Sequence, residues 1–165
     1  MMISRTRLAF LVLLFVAGGT VLIDGVRAGG GHYFPPVTDA PTLAECTACH
    51  IAYPAGLLPA ASWQRIMGDL GNHFGDDASL DDATRESITA YLVANAADTG
   101  GREWGRRMLR GVDPANPPLR ITELPRWEHK HDEVPAREWK SVKVKSRANC
   151  GACHADAAQG YFEED

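Results

Sequence analysis

The sequence predicts a mainly α-helical chain with extensive loop and little or no sheet, folded as two small lobes. Three observations lead there. Apolar residues recur at three- and four-residue steps from Trp63 to Phe74 and again from Ile88 to Leu92, the period of a helix with one buried face. The 165 residues include 16 Gly and 10 Pro, which interrupt regular structure and leave much of the chain as loop. One five-residue pattern, Cys-x-x-Cys-His, occurs at 46–50 and again at 150–154, with a Gly- and Pro-rich stretch between the copies. A chain of this length makes one ordinary domain or two small ones. The apolar core of a loop-rich lobe is thin, so an internal staple is expected.

The N-terminal residues 1–28 read as an export signal. Arg5 and Arg7 form a basic start, Leu8–Ile23 is an uncharged run, and Val26-Arg27-Ala28 places small residues at the −3 and −1 positions of a cleavage site. The alternative is an uncleaved membrane anchor. The run has only 16 residues, Gly18, Gly19 and Thr20 among them, against the ~20 apolar residues of a spanning helix. Cleavage and a periplasmic location are therefore expected, with no membrane span afterwards. Residues 29–40 then form an N-terminal extension.

All four cysteines fall in the two repeated patterns, Cys46-Thr47-Ala48-Cys49-His50 and Cys150-Gly151-Ala152-Cys153-His154. This spacing is the c-type haem attachment signature. Two thiols three residues apart reach the two vinyl groups of one porphyrin and form thioethers, and the adjacent His supplies a neutral imidazole to the iron. Three other readings fit less well. Zinc sites built from Cys-x-x-Cys pairs place them far closer in sequence, a thioredoxin-type motif needs a βαβ context, and disulfides require neither His50 nor His154. Two covalent haems are expected, held by Cys46, Cys49, Cys150 and Cys153, with His50 and His154 as proximal ligands. Each lobe is then wrapped around its own haem.

The second axial ligand decides the chemistry, because His or Met closes the iron and an open position admits small ligands. Other candidates are His32, His73, His129, His131, Met67 and Met108. After Pro54 and Pro59, Ser62 is placed to N-cap a helix. Trp63, Ile66, Met67, Leu70, His73 and Phe74 then form one apolar face, with His73 at its end between Gly71 and Gly75. A lone histidine on such a face is ordinarily a hydrogen-bonded core residue. A haem attached 23 residues upstream makes His73 the expected distal ligand of the first iron. Met67 shares the face as wall packing. For the second iron, Trp127-Glu128-His129-Lys130-His131-Asp132-Glu133-Val134 offers His129 and His131, and local physics does not choose between them.

A further helix is expected from about Asp81 to Ala97, opened by a capping-box-like Ser79-Leu80-Asp81-Asp82 and ended by Gly100-Gly101. Residues 101–118 read as a linker, irregular from Gly111 to Pro118. It separates a first haem lobe at 41–100 from a second at 119–165. The second signature is expected on a short helix over Ala148–Gly160.

Charge is uneven. Residues 29–100 carry 2 basic and 9 acidic side chains, 101–147 carry 12 and 7, and 148–165 carry none and 4. A solvated mixed surface explains any one run. The uneven distribution also suits a dipolar surface that orients a docking partner. Nucleic acid is not expected, since the basic stretch is interleaved with acids.

The sequence resembles the dihaem cytochrome c family of exported bacterial electron carriers. The resemblance runs through Glu45–His50, Tyr53-Pro54, Leu58-Pro59, Ser62-Trp63, His73-Phe74-Gly75 and Tyr91-Leu92. It resumes at Leu119-Arg120-Ile121-Thr122, His131-Asp132-Glu133-Val134 and Ala148–His154. It implies two helical lobes with one bis-histidine haem each, and it puts the distal roles on His73 and His131, with His129 as the fallback. It also implies electron exchange with other redox proteins, such as a small oxygen-binding high-spin cytochrome c or a membrane b-type cytochrome. The expected role is one-electron transfer rather than catalysis, at potentials below those of Met/His cytochromes. Arg120 and Arg126 are candidate propionate partners. The rival readings are a peroxidase-like dihaem enzyme, a haem-based ligand binder and a haem-stapled docking subunit.

Overall fold

The computed structural model describes residues 33–162. The expected signal at 1–28, the start of the extension and His32 lie outside the described residues. Helix α1 spans Ala40–Cys46. It is capped by Asp39, whose carboxylate accepts from the Thr42 amide at 3.0 Å and the Thr42 hydroxyl at 2.7 Å. Such a cap satisfies an otherwise orphaned amide. Helix α2 spans Ala60–Met67 and α3 spans Asp82–Ala94. The two pack against each other, and α1 also lies on α3.

Helix α2 starts earlier and stops earlier than its sequence suggests. Ser62 is not its cap. It lies inside the helix, fully buried, and its hydroxyl donates to the Pro118 carbonyl at 2.7 Å. The cap is supplied through tertiary structure, by Asp98, whose carboxylate accepts from the Ala60 amide at 2.9 Å. The helix ends at Gly68, so the periodic apolar run does not continue as helix to Phe74. Leu70–Asn72 forms a 3₁₀ turn instead. His73 follows it in an isolated antiparallel bridge with Asp76, its amide donating to the Asp76 carbonyl at 2.8 Å. Phe74 takes a φ of 56° and is exposed rather than on the buried face. Glycine costs a helix about 1 kcal/mol per residue, and the run contains Gly68 and Gly71 within four residues.

Helix α3 begins where expected, with Asp81 accepting from the Thr84 amide at 3.0 Å, and it buries Ile88 and Leu92. It stops at Asn95 rather than at Gly100-Gly101. The side chain of Asn95 donates to the Tyr91 carbonyl at 2.9 Å, a local bond that competes with further helix.

The segment expected as linker carries a packed helix, α4, over Glu103–Met108. Its irregular part is confined to the stretch after Gly111. Two glycines let α4 in. A Cβ on Gly56 would collide with the Trp104 ring, and one on Gly105 would collide with the Ala97 carbonyl. Helix α4 therefore wedges between α5 (Pro125–Lys130) and the turn Ala55–Leu57.

A short α6 follows at Ala136–Trp139. The stretch expected as a helix over 148–160 is instead two 3₁₀ turns, Cys150–Ala152 and Ala157–Gln159, ended by Gly160 at φ 88°. Short 3₁₀ pieces suit a segment with Gly151 at its centre, where an α-helix lacks propensity.

The core collects Leu57, Leu58, Trp63, Ile66, Met67, Leu70, Ile88, Leu92, Met108, Leu124 and Trp127 into one cluster. Leu58, Ile88 and Leu124 are essentially inaccessible, and full burial of each contributes roughly 1.5–3 kcal/mol. Among the described residues the only bridges are Tyr33 with Tyr161 and His73 with Asp76, so the mainly helical expectation without sheet is met.

Candidate functional site

Cys46 is the last residue of α1, and the first signature turns away from that helix end. The Thr47 hydroxyl donates to the Leu43 carbonyl at 2.7 Å and tightens the exit. No cysteine is in a disulfide. Burial pushes the Cys46 thiol up, with Glu45 adding to it, and burial also pushes up the Cys150 thiol. Neither has the depressed value of a redox-active cysteine.

The His50 imidazole donates from Nδ1 to the Ile51 carbonyl at 2.6 Å and stacks on Tyr53, with 4.7 Å between ring centres and 22° between planes. A carbonyl can only accept, so Nδ1 holds the proton and the Nε2 lone pair is free for a metal. The His73 ring stands 6.2 Å from the His50 ring at 23°. Burial pulls the His73 imidazole below the usual histidine range, and His50 adds to this. Both effects favour the neutral form, the one that can ligate a metal. Its buried Nδ1 has no hydrogen-bond partner.

At the second signature the rings of His131 and His154 are 6.1 Å apart at 88°. His131 closes the C-terminus of α5. Its Nδ1 donates to the Trp127 carbonyl at 2.8 Å, and its ring stacks on the Trp127 indole at 4.1 Å and 16°. Phe162 lies 5.9 Å from His154.

These separations test the fit of an iron. A metal–imidazole bond of about 2 Å, plus roughly 1 Å from nitrogen to ring centre on each side, puts two trans ligands about 6 Å apart. Both pairs have that separation, and His50 and His131 both present Nε2. A hollow of about 360 Å³ beside the first signature is lined by Leu43, Ala48, Cys49, His50, Ile51 and Ala158, an apolar wall suited to a porphyrin face. Among the described residues no group of three His, Cys, Asp or Glu could hold a bare metal ion, so the zinc reading has no support. The residues fit haem.

Two positions separate clearly. His129 has a 79% exposed side chain, with Nδ1 3.6 Å from Asp132, while His131 faces His154. Met67 and Met108 are both buried within the core cluster. The Arg120 guanidinium covers the Phe74 ring at 4.1 Å and lies 3.7 Å from Glu123. Arg126 is half-buried on α5.

The supporting shell leaves little trace in the sequence. Tyr53 joins the two sites, because its ring lies on His50 while its hydroxyl donates to the Ala148 carbonyl at 2.6 Å, two residues before Cys150. Burial, with Cys150 beside it, pushes the Tyr53 phenol up to about 12, which keeps that proton in place. Trp139 and Arg147 complete the surround of Trp127, the guanidinium standing 5.5 Å from each indole. The one available signal was spacing, since Trp127 precedes His131 by one helical turn.

The profile of the family described as dihaem cytochrome c matches residues 42–162. A diheme cytochrome c from Rhodobacter sphaeroides is 55% identical, with a TM-score of 0.71, over 78% of this chain and 99% of that one. A second structure, of DHC purified from Rhodobacter sphaeroides, is 52% identical with a TM-score of 0.64, over 77% and 99%. A diheme cytochrome type c from Shewanella baltica OS155 is 40% identical with a TM-score of 0.61, over 75% and 86%. No match is found among curated proteins.

Proposed function

Because the chain belongs to the dihaem cytochrome c family and so carries two covalently attached haem c groups, we propose that it is a one-electron carrier with both irons closed by histidine. Cys46 and Cys49 hold the first haem and Cys150 and Cys153 the second. His50 with His73, and His154 with His131, would hold the two irons. Haem c bound at each site supplies a reversible ferric/ferrous couple. The single observation that carries the reading is that each signature histidine faces a second imidazole at the trans-ligand separation, 6.2 Å and 6.1 Å.

The protein's own groups prepare the sites for that task. Carbonyls of Ile51 and Trp127 hold the protons of His50 and His131 at Nδ1, which fixes the tautomer and makes each ligand more basic. Burial favours the neutral form of His73. With a histidine pair at each site, the protein would close both axial positions of a bound haem, which would suit electron transfer and leave no position for substrate.

The carrier acts outside the cytoplasmic membrane, on the strength of the signal-like 1–28 segment. Its partners are other redox proteins, such as a small high-spin cytochrome c or a membrane b-type cytochrome, oriented by the acidic 29–100 and basic 101–147 stretches. The oxidised holoprotein is expected to show only low-spin iron in its absorption and EPR spectra, unchanged by cyanide or peroxide. A high-spin ferric signal that moves with either ligand would instead support a peroxidase-like enzyme or a ligand binder.

A further inference from the structure

The two imidazole pairs differ in one respect that their separation conceals. His50 and His73 lie 23° from parallel, whereas His131 and His154 are crossed at 88°. A metal-bound imidazole is free in principle to turn about its metal–nitrogen bond, so a fixed plane needs outside restraint, which second-shell groups supply. His131 has two restraints from a single residue. The Trp127 carbonyl accepts its Nδ1 proton at 2.8 Å, and the Trp127 indole stacks on its ring at 4.1 Å and 16°. The indole is itself immobilised, being buried, 5.6 Å from Trp139 and capped by Arg147 at 5.5 Å.

We infer that Trp127 is the positioning residue that holds His131 crosswise to His154, so that the second iron carries crossed axial imidazoles and the first a near-parallel pair. The inference rests on the axial pairs proposed above. Its consequence is electronic. Each imidazole donates π density into the iron d orbital perpendicular to its ring. Parallel rings raise one d orbital of the d-π pair and split it from the other, which gives a well-spread rhombic low-spin signal. Crossed rings raise both equally, and near-degeneracy gives a strongly anisotropic signal with one feature at unusually low field. The two haems are therefore distinguishable in one spectrum, although their ligand atoms are identical.

Low-temperature EPR of the fully oxidised holoprotein tests this. The expected spectrum holds one rhombic and one strongly anisotropic low-spin species in equal amounts. Trp127→Ala removes the stack but keeps the carbonyl, and it is expected to shift the low-field feature and leave the rhombic species alone. Trp127→Phe restores a ring to stack and is expected to keep the feature in place. Should Trp127→Ala not mature, Trp127→Leu fills the core without a ring and must move the feature in the same way. Two low-spin species of one class in the wild type would overturn the inference. So would a low-field feature indifferent to loss of the ring, or one that moves together with the rhombic signal. High-spin iron would instead sink the axial assignment itself, a different failure.

Discussion

The two haem sites use the same five-residue attachment pattern and solve the remaining problem in opposite ways. In each, the paired histidines are 23 residues apart in sequence, so the entropy of closing the loop between them is the same. The order is reversed. The first signature lies on a helix end and reaches forward to His73, which is held by a backbone bridge to Asp76 and has an unpartnered Nδ1. The second lies on 3₁₀ turns and reaches back to His131, which has a carbonyl, an indole and a helix end fixing it. The attachment motif dictates the chemistry and says little about the cradle. What differs between the cradles is how firmly the ring proposed as distal ligand is oriented.

The sharpest way to break the comparison is to delete each distal ring. His73→Ala is expected to make the first haem high-spin and cyanide-sensitive, and His131→Ala the second, while His129→Ala leaves both low-spin. Absorption and EPR spectra read all three, and an exchange of roles between 129 and 131 would overturn the assignment.

Next in size is Gly160→Ala. Gly160 sits at φ 88°, and a Cβ there would meet the Phe34 carbonyl. The strained backbone alone costs about 1–3 kcal/mol. Thermal unfolding should show the loss as a Tm lower by several degrees, and the spectrum of the second haem should change more than that of the first.

Tyr53→Phe tests the tie between the sites. It keeps the ring over His50 and removes the hydroxyl bond to Ala148, for an expected loss of about 1 kcal/mol with both haems still low-spin. A larger destabilisation with altered first-haem ligation would show that the ring, too, had moved.

The smallest effect concerns potential. Of the second site, His131 lies in the net positive stretch and Arg147 stands on its aromatic surround, while its signature belongs to the acidic 148–165; the first site lies wholly in the acidic 29–100. Nearby cations favour the reduced iron. In a reductive titration followed by EPR, the strongly anisotropic species should disappear before the rhombic one. The reverse order would show that Arg120, near His73, outweighs the segment charges.

How much of this was legible in sequence depended on whether the cause was local. The six residues proposed to hold the porphyrins through the two signatures follow from a spacing set by the porphyrin itself, and the helical class follows from periodicity at Trp63–Met67 and Ile88–Leu92. The helix ends did not follow. Ser62 has the chemistry of a cap, but Asp98, 38 residues away from the Ala60 amide it caps, fills that role. Helix α4 was hidden because its six residues, between Gly100-Gly101 and Gly111, are too few to show a helical period, and what holds it is the missing side chain of Gly105, which admits the Ala97 backbone. His73 was placed near its partner for a partly mistaken reason. The apolar period pointed to it, yet the chain arrives there by a 3₁₀ turn after the helix has ended. His131 could not be chosen over His129 from spacing alone. The structure separates them by one helical exit, with a ring stack and a carbonyl on one side of it and solvent on the other.

The strand-like stretch at Tyr33–Phe34 has a consequence for manufacture. Its partners are Gly160 and Tyr161, with the Phe34 amide donating to the Gly160 carbonyl at 2.8 Å and Phe34 packed edge-on against Phe162. It is synthesised before Cys46 but cannot fasten until the chain beyond His154 exists. Contacts so distant in sequence are slow to form, because the loop between them must close first. Because Phe34 and Gly160 bracket both signatures, this clasp closes a loop that contains each of them.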